Sequence, residues 1–222
     1  MERTIRVTGK GAISVKPDMI RILLTLEDMH DTYEKTLEQS TVQVEILKDC
    51  FEKLGFQRTD LKTLSFNVDT EYESYQDRQK AWKRRFLGYK FIHHLKIEFD
   101  ADNKQLGQVL YALAHAPIKP EFRINYTIKD VEAAKNQLLG KAVADSKEKA
   151  KVLTEAAGVT LGDIITIDYS WGEITFLSEP MHKCMSLAED CCMPTGSYDI
   201  DIEPDDIDVT DTVTVVWRIE TN

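Results

Sequence analysis

Apolar and polar side chains alternate along several stretches of this chain, and this alternation constrains the fold more than any other feature. It is clearest at Ile20, Ile22, Leu24 and Leu26, which share one parity. A period of two residues is typical of a β-strand that buries one face. The same pattern recurs over residues 64–68, 89–99, 122–128, 165–171 and 207–219. The sequence therefore predicts a sheet with one apolar face.

Two long segments have helical periodicity instead. Residues 31–54 place apolar side chains at three- and four-residue steps, with Asp31 as a candidate N-cap and Gly55 just after the end. Residues 129–157 are rich in alanine, which favours a helix, and a shorter helix is predicted at 103–114. We therefore predict an α+β fold in which an antiparallel or mixed sheet is covered on one face by two long amphipathic helices. The order of the elements also suggests two related halves.

The glycine pair in Gly9-Lys10-Gly11 is a candidate for a phosphate loop or for a turn. A phosphate loop has to lead into a helix, whose first N–H groups bind the anion. The residues after Gly11 alternate as a strand does, so we interpret the glycines as a turn between a short strand at 5–8 and a longer one. Pro17 removes a ladder donor, and a bulge or bend is predicted there.

The size of the chain suits one domain with a charged exterior. It has 222 residues, of which 42% are hydrophobic and 30% charged, so a packed core is expected. We predict a single domain over residues 1–222. Residues 172–204 lack a sustained period and contain Pro180, Pro194 and Gly196, so they are predicted to form a loop-rich insertion.

The net charge of the chain indicates which partners it can bind, and its amino-terminal sequence indicates a cellular compartment. The formal net charge is −10, and an acidic field repels nucleic acid, which is therefore not expected as a partner. No stretch has the roughly 20 consecutive apolar residues that a membrane span needs. The amino end, MERTIRVTGKG, lacks the apolar core of a secretory signal, so we expect a cytoplasmic protein.

One late cluster has the side chains of a metal or redox site: His182, Cys184, Cys191 and Cys192. Thiolates and imidazole are zinc ligands, but the spacing lacks the paired CxxC motifs of zinc sites. The cluster is open to three interpretations, namely a metal site, reversible thiol oxidation, or inert loop cysteines. Acids nearby disfavour the thiolate. We predict no metal and no other cofactor.

The tip of a predicted hairpin, at about residues 71–86, combines cations with aromatic rings. The residues concerned are Lys80, Trp82, Lys83, Arg84, Arg85 and Phe86. Such a set can stack on bases or bind an acidic protein surface, or it can be a solvated hairpin end. The net charge disfavours bases, and the acidic stretch at 199–211 of another subunit is a candidate partner. Opposite charges on two different surfaces suit head-to-tail association, which closes a ring if the rotation permits.

No pair of residues indicates a catalytic site. His93 and His94 lie on opposite faces of one strand, and His93 shares the parity of the apolar side chains, so we interpret it as a core histidine. No serine or cysteine is placed by the sequence to act with either histidine. The aspartates at 205–211 lack an EF-hand pattern and are interpreted as surface acids. The protein is therefore predicted not to be an enzyme.

Five stretches, taken in order, resemble the SIMPL-domain family, long known as a domain of unknown function. They are VTGKGAISVKPDMIRILLTLE, LGFQRTDLKTLSFNVDTEY, GYKFIHHLKIEF, AVADSKEKAKVLTEAAGVTLGDIITID and IEPDDIDVTDTVTVVWRIE. The resemblance covers nearly the full length and implies an α+β fold and a tendency to form rings or larger homo-oligomers. Members of the family include periplasmic proteins of oxidative-stress defence, bacterial surface immunogens and an animal protein that binds a signalling kinase. The resemblance implies no catalytic residues.

We therefore predict a non-enzymatic, self-assembling interaction or scaffold protein of the SIMPL type, with a link to stress response. It is expected to form homo-oligomers, and a protein partner is a further expectation. The alternative is a cytoplasmic thiol-redox or metal-responsive protein that uses the late cysteine cluster.

Overall fold

The computed structural model describes residues 3–169, 174–178 and 197–220, and these residues form an α+β fold, as predicted. The elements follow one another as β1 (Thr4–Val15), β2 (Met19–His30), α1 (Tyr33–Glu52), β3 (Lys62–Gln76), β4 (Trp82–Asp100), α2 (Asn103–His115), β5 (Glu121–Thr127), α3 (Val131–Ala156), β6 (Thr160–Asp168) and β7 (Ile207–Glu220). Strands β1 and β6 each pair antiparallel with β7, and β2 and β3 each pair antiparallel with β4.

The contacts divide the chain into two units. The first unit is drawn from residues 1–18, 127–178 and 204–222, and the second from residues 19–126 and 179–203. In the first unit, α3 packs on a three-stranded sheet of order β1-β7-β6. In the second unit, α1 packs on β2 and β4 of a four-stranded sheet of order β3-β4-β2-β5.

The expectation of a single sheet under two long helices is not confirmed, because the strands form two sheets and each long helix packs on a different one. Alternation shows which face of a strand is buried, but it does not show which strand lies beside it. The single domain and the relation between two halves stay predictions.

The predicted turn at Gly9-Lys10-Gly11 is wrong. Strand β1 runs without interruption from Thr4 to Val15 and pairs with β7 throughout, with Gly9 opposite Val213. A Cβ added at Gly9 would lie 2.0 Å from the carbonyl oxygen of Ala142, and one at Gly11 would lie 2.2 Å from that of Leu138. Both oxygens belong to α3, so the glycines are needed because a helix backbone lies directly against the strand.

Helix α3 can approach so closely because its buried face is made mostly of small residues at four-residue steps. These are Ala134, Leu138, Ala142, Ser146, Ala150 and Thr154. Polar contacts fix the position of the helix, since the Lys10 backbone N–H donates to Asp145 Oδ2 at 2.6 Å and Ser146 Oγ donates to the Val7 carbonyl at 3.3 Å. The close packing and these hydrogen bonds together hold α3 on β1.

A bulge or bend was predicted at Pro17, and the structure instead ends β1 at Val15 and begins β2 at Met19. The backbone N–H of Asp18 donates to the Thr127 carbonyl at 3.1 Å, and its carboxylate accepts from the Lys129 N–H at 2.7 Å. This is where the chain passes from the first unit to the second.

The core of the second unit lies between its sheet and its two helices. The fully buried Leu47 and Phe51 of α1 pack in one cluster with alternate residues of β2, namely Ile20, Ile22, Leu24 and Leu26. The N-cap of α1 is Thr32, whose hydroxyl accepts from the Lys35 N–H at 3.4 Å, instead of the predicted Asp31.

Within the predicted insertion at 172–204, the structure describes residues 174–178 and 197–204, and neither part is a helix or a multi-residue strand. Ile200 and Ile202 pack against the core of the second unit. The Tyr198 N–H donates to the Gly107 carbonyl at 3.2 Å. A Cβ at Gly107 would lie 2.1 Å from the Tyr198 carbonyl oxygen, so this segment lies directly on α2.

Candidate interaction surface

Strands β3 and β4 continue beyond the rest of their sheet as a two-stranded hairpin, which we call the arm and define as residues 71–88. Strand β2 pairs with β4 only from Tyr89 onward, whereas β3 pairs with β4 as far as Gln76 opposite Trp82. Within the described residues, no strand pairs with either outer edge of the arm, and we call these two edges open. Open edges present N–H and C=O groups that a further strand can bind.

The tip of the arm is a turn held by Asp77. Its carboxylate accepts from the backbone N–H groups of Gln79 at 2.8 Å and Ala81 at 3.1 Å. The same carboxylate lies 2.9 Å from Lys83 Nζ. The ammonium of Lys83, followed by these backbone donors, holds the pKa of Asp77 below its ordinary value. Lys80 adopts a φ of 60°, the left-handed conformation that such a tight turn requires.

Aromatic rings stabilise the arm along one face. Tyr72 and Phe86 meet edge to face with centroids 5.6 Å apart, and Phe86 meets Tyr89 in the same way at 5.2 Å. Tyr89 then contacts Tyr33 of α1 at 5.6 Å. This series connects the exposed part of the arm to the body of the second unit. Edge-to-face pairs of this kind contribute about 0.5–1.5 kcal/mol each beyond the apolar area they bury.

The arm is cationic in an acidic protein. Residues 71–88 contain five Lys and Arg against three Asp and Glu, while the whole chain has a net charge of −10. Arg85 pairs with Glu73 at 2.6 Å, and the guanidinium of Arg84 lies 4.7 Å from the centroid of the Tyr72 ring. Lys80 is exposed and forms no ion pair with any described residue. The arm therefore presents positive charge to solvent.

The base of the arm fits closely against β2. A Cβ at Gly88 would lie 2.4 Å from the His30 carbonyl oxygen, so only glycine fits there. A groove of about 480 Å³ lies beside it, lined by Glu27, Asp28, Met29, Glu71, Leu87 and Lys90. Lys90 Nζ lies 2.9 Å from Glu27, and this carboxylate raises the pKa of Lys90.

The six residues predicted to mediate an interaction all lie in the arm, as the sequence placed them on a hairpin tip. Among the described residues, Trp82 is the most exposed large hydrophobic one, at 72%, and Phe86 is 42% exposed. Their role in an interaction stays a prediction. The late cluster of His182, Cys184, Cys191 and Cys192 lies outside the described residues. In the part of the chain that the structure describes, no His, Cys, Asp and Glu group suited to a metal ion is found.

The structure brings His93 together with a serine that the sequence did not connect to it. Ser40 Oγ of α1 lies 3.4 Å from His93 Nδ1, and Thr63 Oγ1 lies 2.9 Å from Nε2. Burial lowers the pKa of His93, and the adjacent His94 lowers it further. Ser40 is only 4% exposed, so a substrate has no path to its hydroxyl. We interpret the pair as a polar contact in the core.

His94 lies on the opposite face of the sheet, as predicted, and its Nδ1 is 3.1 Å from Thr25 Oγ1. An open groove of about 320 Å³ adjoins these two side chains. Leu64 and Phe122, both about half exposed, form part of its lining.

The acidic stretch at 199–211 was predicted as a complement to the arm, and its first part, residues 199–203, exposes its acids. In the segment that crosses α2, Asp199, Asp201 and Glu203 alternate with the half-buried Ile200 and Ile202. None of the three acids forms an ion pair with another described residue. This stretch can therefore receive cations from outside the chain.

Together, the two antiparallel sheets, their helices and the arm define an α+β protein with an exposed basic hairpin. The chain belongs to the SIMPL family, described as a protein of unknown function (DUF541), whose model matches residues 5–217. It is 26% identical over 176 residues to the 26 kDa periplasmic immunogenic protein of Brucella melitensis biotype 1, covering 79% of this chain and 67% of that protein. The protein of the same name from Brucella abortus strain S19 is 25% identical over the same shares.

The prediction of a cytoplasmic protein is wrong by this comparison, because both relatives are periplasmic proteins. The prediction relied on the lack of an apolar leader at the amino end. The residues of the amino end do not by themselves decide the compartment of a protein. Among the described residues, no helix has the length and apolar character needed to cross a membrane.

Proposed function

We propose that this protein is a non-enzymatic, self-assembling interaction protein in which the arm makes the contact between copies. The family has no described function, so the proposal rests on the surface of this chain. A link to stress response belongs to the proposal through the family resemblance alone. The thiol-redox or metal-responsive alternative depends on residues outside the described part, and nothing in the comparisons supports it.

The exposed arm is the observation that carries the proposal. Its strands have two open edges, and it holds Trp82 at 72% exposure close to Lys80, which forms no ion pair with a described residue. Solvent exposure of a tryptophan costs hydrophobic free energy, which burial against a partner would recover. Tryptophan and arginine are also the residues that contribute most to binding at protein interfaces.

Charge supports a second copy as the partner. The arm carries a positive excess, whereas the chain as a whole is strongly acidic, so the rest of another copy attracts the arm. Exposed acids such as Asp199, Asp201 and Glu203 contribute to this negative field. Because the arm and its receiving surface are different, the association is heterologous, and such contacts form rings when the rotation closes.

Sedimentation velocity of paired variants tests the proposal. Trp82→Ala with Lys80→Glu removes the largest exposed ring and reverses an exposed charge, and it should shift the assembly toward the monomer. Lys151→Glu, an exposed charge reversal on α3, is the matched control and should leave the assembly unchanged. The proposal fails if the arm variant sediments as the wild type does.

A further inference from the structure

Strand β6 is the second element with an open edge. It lies at the edge of the sheet of order β1-β7-β6, and within the described residues only β7 pairs with it. Its isoleucines are unusually exposed, with Ile164 at 43%, Ile165 at 39% and Ile167 at 51%. A long apolar edge strand is a template for pairing with another chain, and natural proteins usually protect such edges.

Charge on β6 is of one sign. The strand carries Asp163 and Asp168, both exposed, and has no lysine or arginine. Neither carboxylate forms an ion pair within the described part of the chain. The edge therefore favours a partner strand that carries cations and apolar side chains.

The part of β4 that lies in the arm has that composition. Residues 82–86 read WKRRF, with three cations between two aromatic rings and no acid. All five side chains are exposed. In an extended strand Trp82, Arg84 and Phe86 share one face and Lys83 and Arg85 the other, so one strand can place charge and apolar surface beside β6 at the same time. The arm and β6 each have a strand edge with which no described strand pairs. The cations and rings of the arm complement the aspartates and isoleucines of β6.

We propose that the arm of one copy adds as a strand to the β6 edge of a second copy. The inference rests on the proposed function and names the surface that receives the arm. Backbone hydrogen bonds supply the affinity, while the isoleucines and the two aspartates select the aromatic and cationic arm. The contact is heterologous, so each copy donates its arm to one neighbour and receives an arm from another.

Photo-crosslinking locates the contact. A p-benzoylphenylalanine residue replaces Trp82, which keeps an aromatic ring at the site, and protein of natural isotope content is mixed with ¹⁵N-labelled protein. Mass spectrometry should find mixed-isotope crosslinks from the arm to the peptide that contains residues 160–168. Crosslinks confined to one copy, or directed to residues 199–203, overturn the proposal.

Paired substitutions measure the energetic contribution of the contact. Ile167→Lys places a cation at a side chain that is half exposed, and we expect self-association to weaken by at least about tenfold. Val42→Lys on α1, where the valine is 45% exposed, is the matched control and should have no effect. Asp168→Lys should also weaken assembly, and adding Arg84→Glu should restore part of the loss.

The same measurements separate the two proposals. A wild-type protein that stays monomeric contradicts the proposed function itself. A wild type that assembles, together with an Ile167→Lys variant that assembles equally well and is folded by circular dichroism, contradicts strand addition alone.

Discussion

Replacing Gly9 by alanine tests the closest packing contact of the first unit. The new Cβ would lie 2.0 Å from the Ala142 carbonyl oxygen and 2.5 Å from the Ser146 nitrogen. Both are backbone atoms, so no side-chain rotation relieves the clash and α3 has to move away from β1. Ordinary van der Waals contact begins at 3.4 Å, so the distance to the oxygen has to grow by 1.4 Å, from 2.0 to 3.4 Å.

A movement of that size disturbs several contacts at once. It stretches the hydrogen bonds from Lys10 to Asp145 and from Ser146 to Val7, and it loosens the packing around Ala142, which is 0% exposed. Overpacking costs about 1–3 kcal/mol, and each weakened hydrogen bond about 1 kcal/mol. We therefore expect the free energy of unfolding to fall by about 3–5 kcal/mol and the melting temperature by roughly 10 °C.

Urea unfolding followed by far-UV circular dichroism measures this change. Gly140→Ala is the matched control. Gly140 lies in α3, the helix that packs on Gly9, and an added Cβ at Gly140 meets nothing within 4 Å. That substitution should stabilise α3 by about 0.5–1 kcal/mol, since alanine favours the helix. A Gly9→Ala variant that unfolds at the wild-type urea concentration refutes the proposed close contact between α3 and β1.

Three further predictions concern other parts of the structure. The pKa of His93 lies below its ordinary value of 6.5, so the unfolded chain binds a proton at this imidazole more readily than the folded chain does. The contribution of His93 to the free energy of unfolding should therefore be complete above about pH 6.5 and decrease as the pH falls below that value. His93→Gln should flatten the stability profile between about pH 7 and 5 in urea titrations, and an unchanged slope contradicts the assignment. Asp77→Ala removes the acceptors that hold the arm tip and the partner of Lys83, so trypsin should cleave the tip faster while the urea midpoint stays close to that of the wild type; equal cleavage rates count against this. Gly107→Ala places a Cβ 2.1 Å from the Tyr198 carbonyl oxygen, so residues 197–203 should detach from α2 and be cleaved faster by a glutamate-specific protease, and an unchanged rate speaks against that contact.

Local patterns in the sequence were sufficient for much of the second unit. The alternation from Ile20 to Leu26 identified β2 and its buried face, and all four residues lie in the core. The parity of His93 with its apolar neighbours placed it on the helix side of the sheet, where Ser40 contacts it. Strand parity decides the side of each residue, so these features depend on near neighbours only.

Contacts between distant residues could not be predicted in the same way. The glycines at 9 and 11 are explained by α3, more than 120 residues further along the chain, so a local pattern suggested a turn instead. The contact between Ser40 and His93 joins a helix to a strand 53 residues away, and no spacing rule reports it. The division of the strands into two sheets could not be predicted either, because the alternation within a strand does not show which other strand pairs with it.

The mass of the intact wild-type particle shows whether this chain assembles with copies of itself. Native mass spectrometry or multi-angle light scattering at micromolar concentration gives this mass without any substitution. If the arm binds a second copy, the particle contains several subunits and its mass is a multiple of the 25.4 kDa chain mass. A species of 25.4 kDa at every concentration up to tens of micromolar would contradict it, because the arm would then have no second copy to bind.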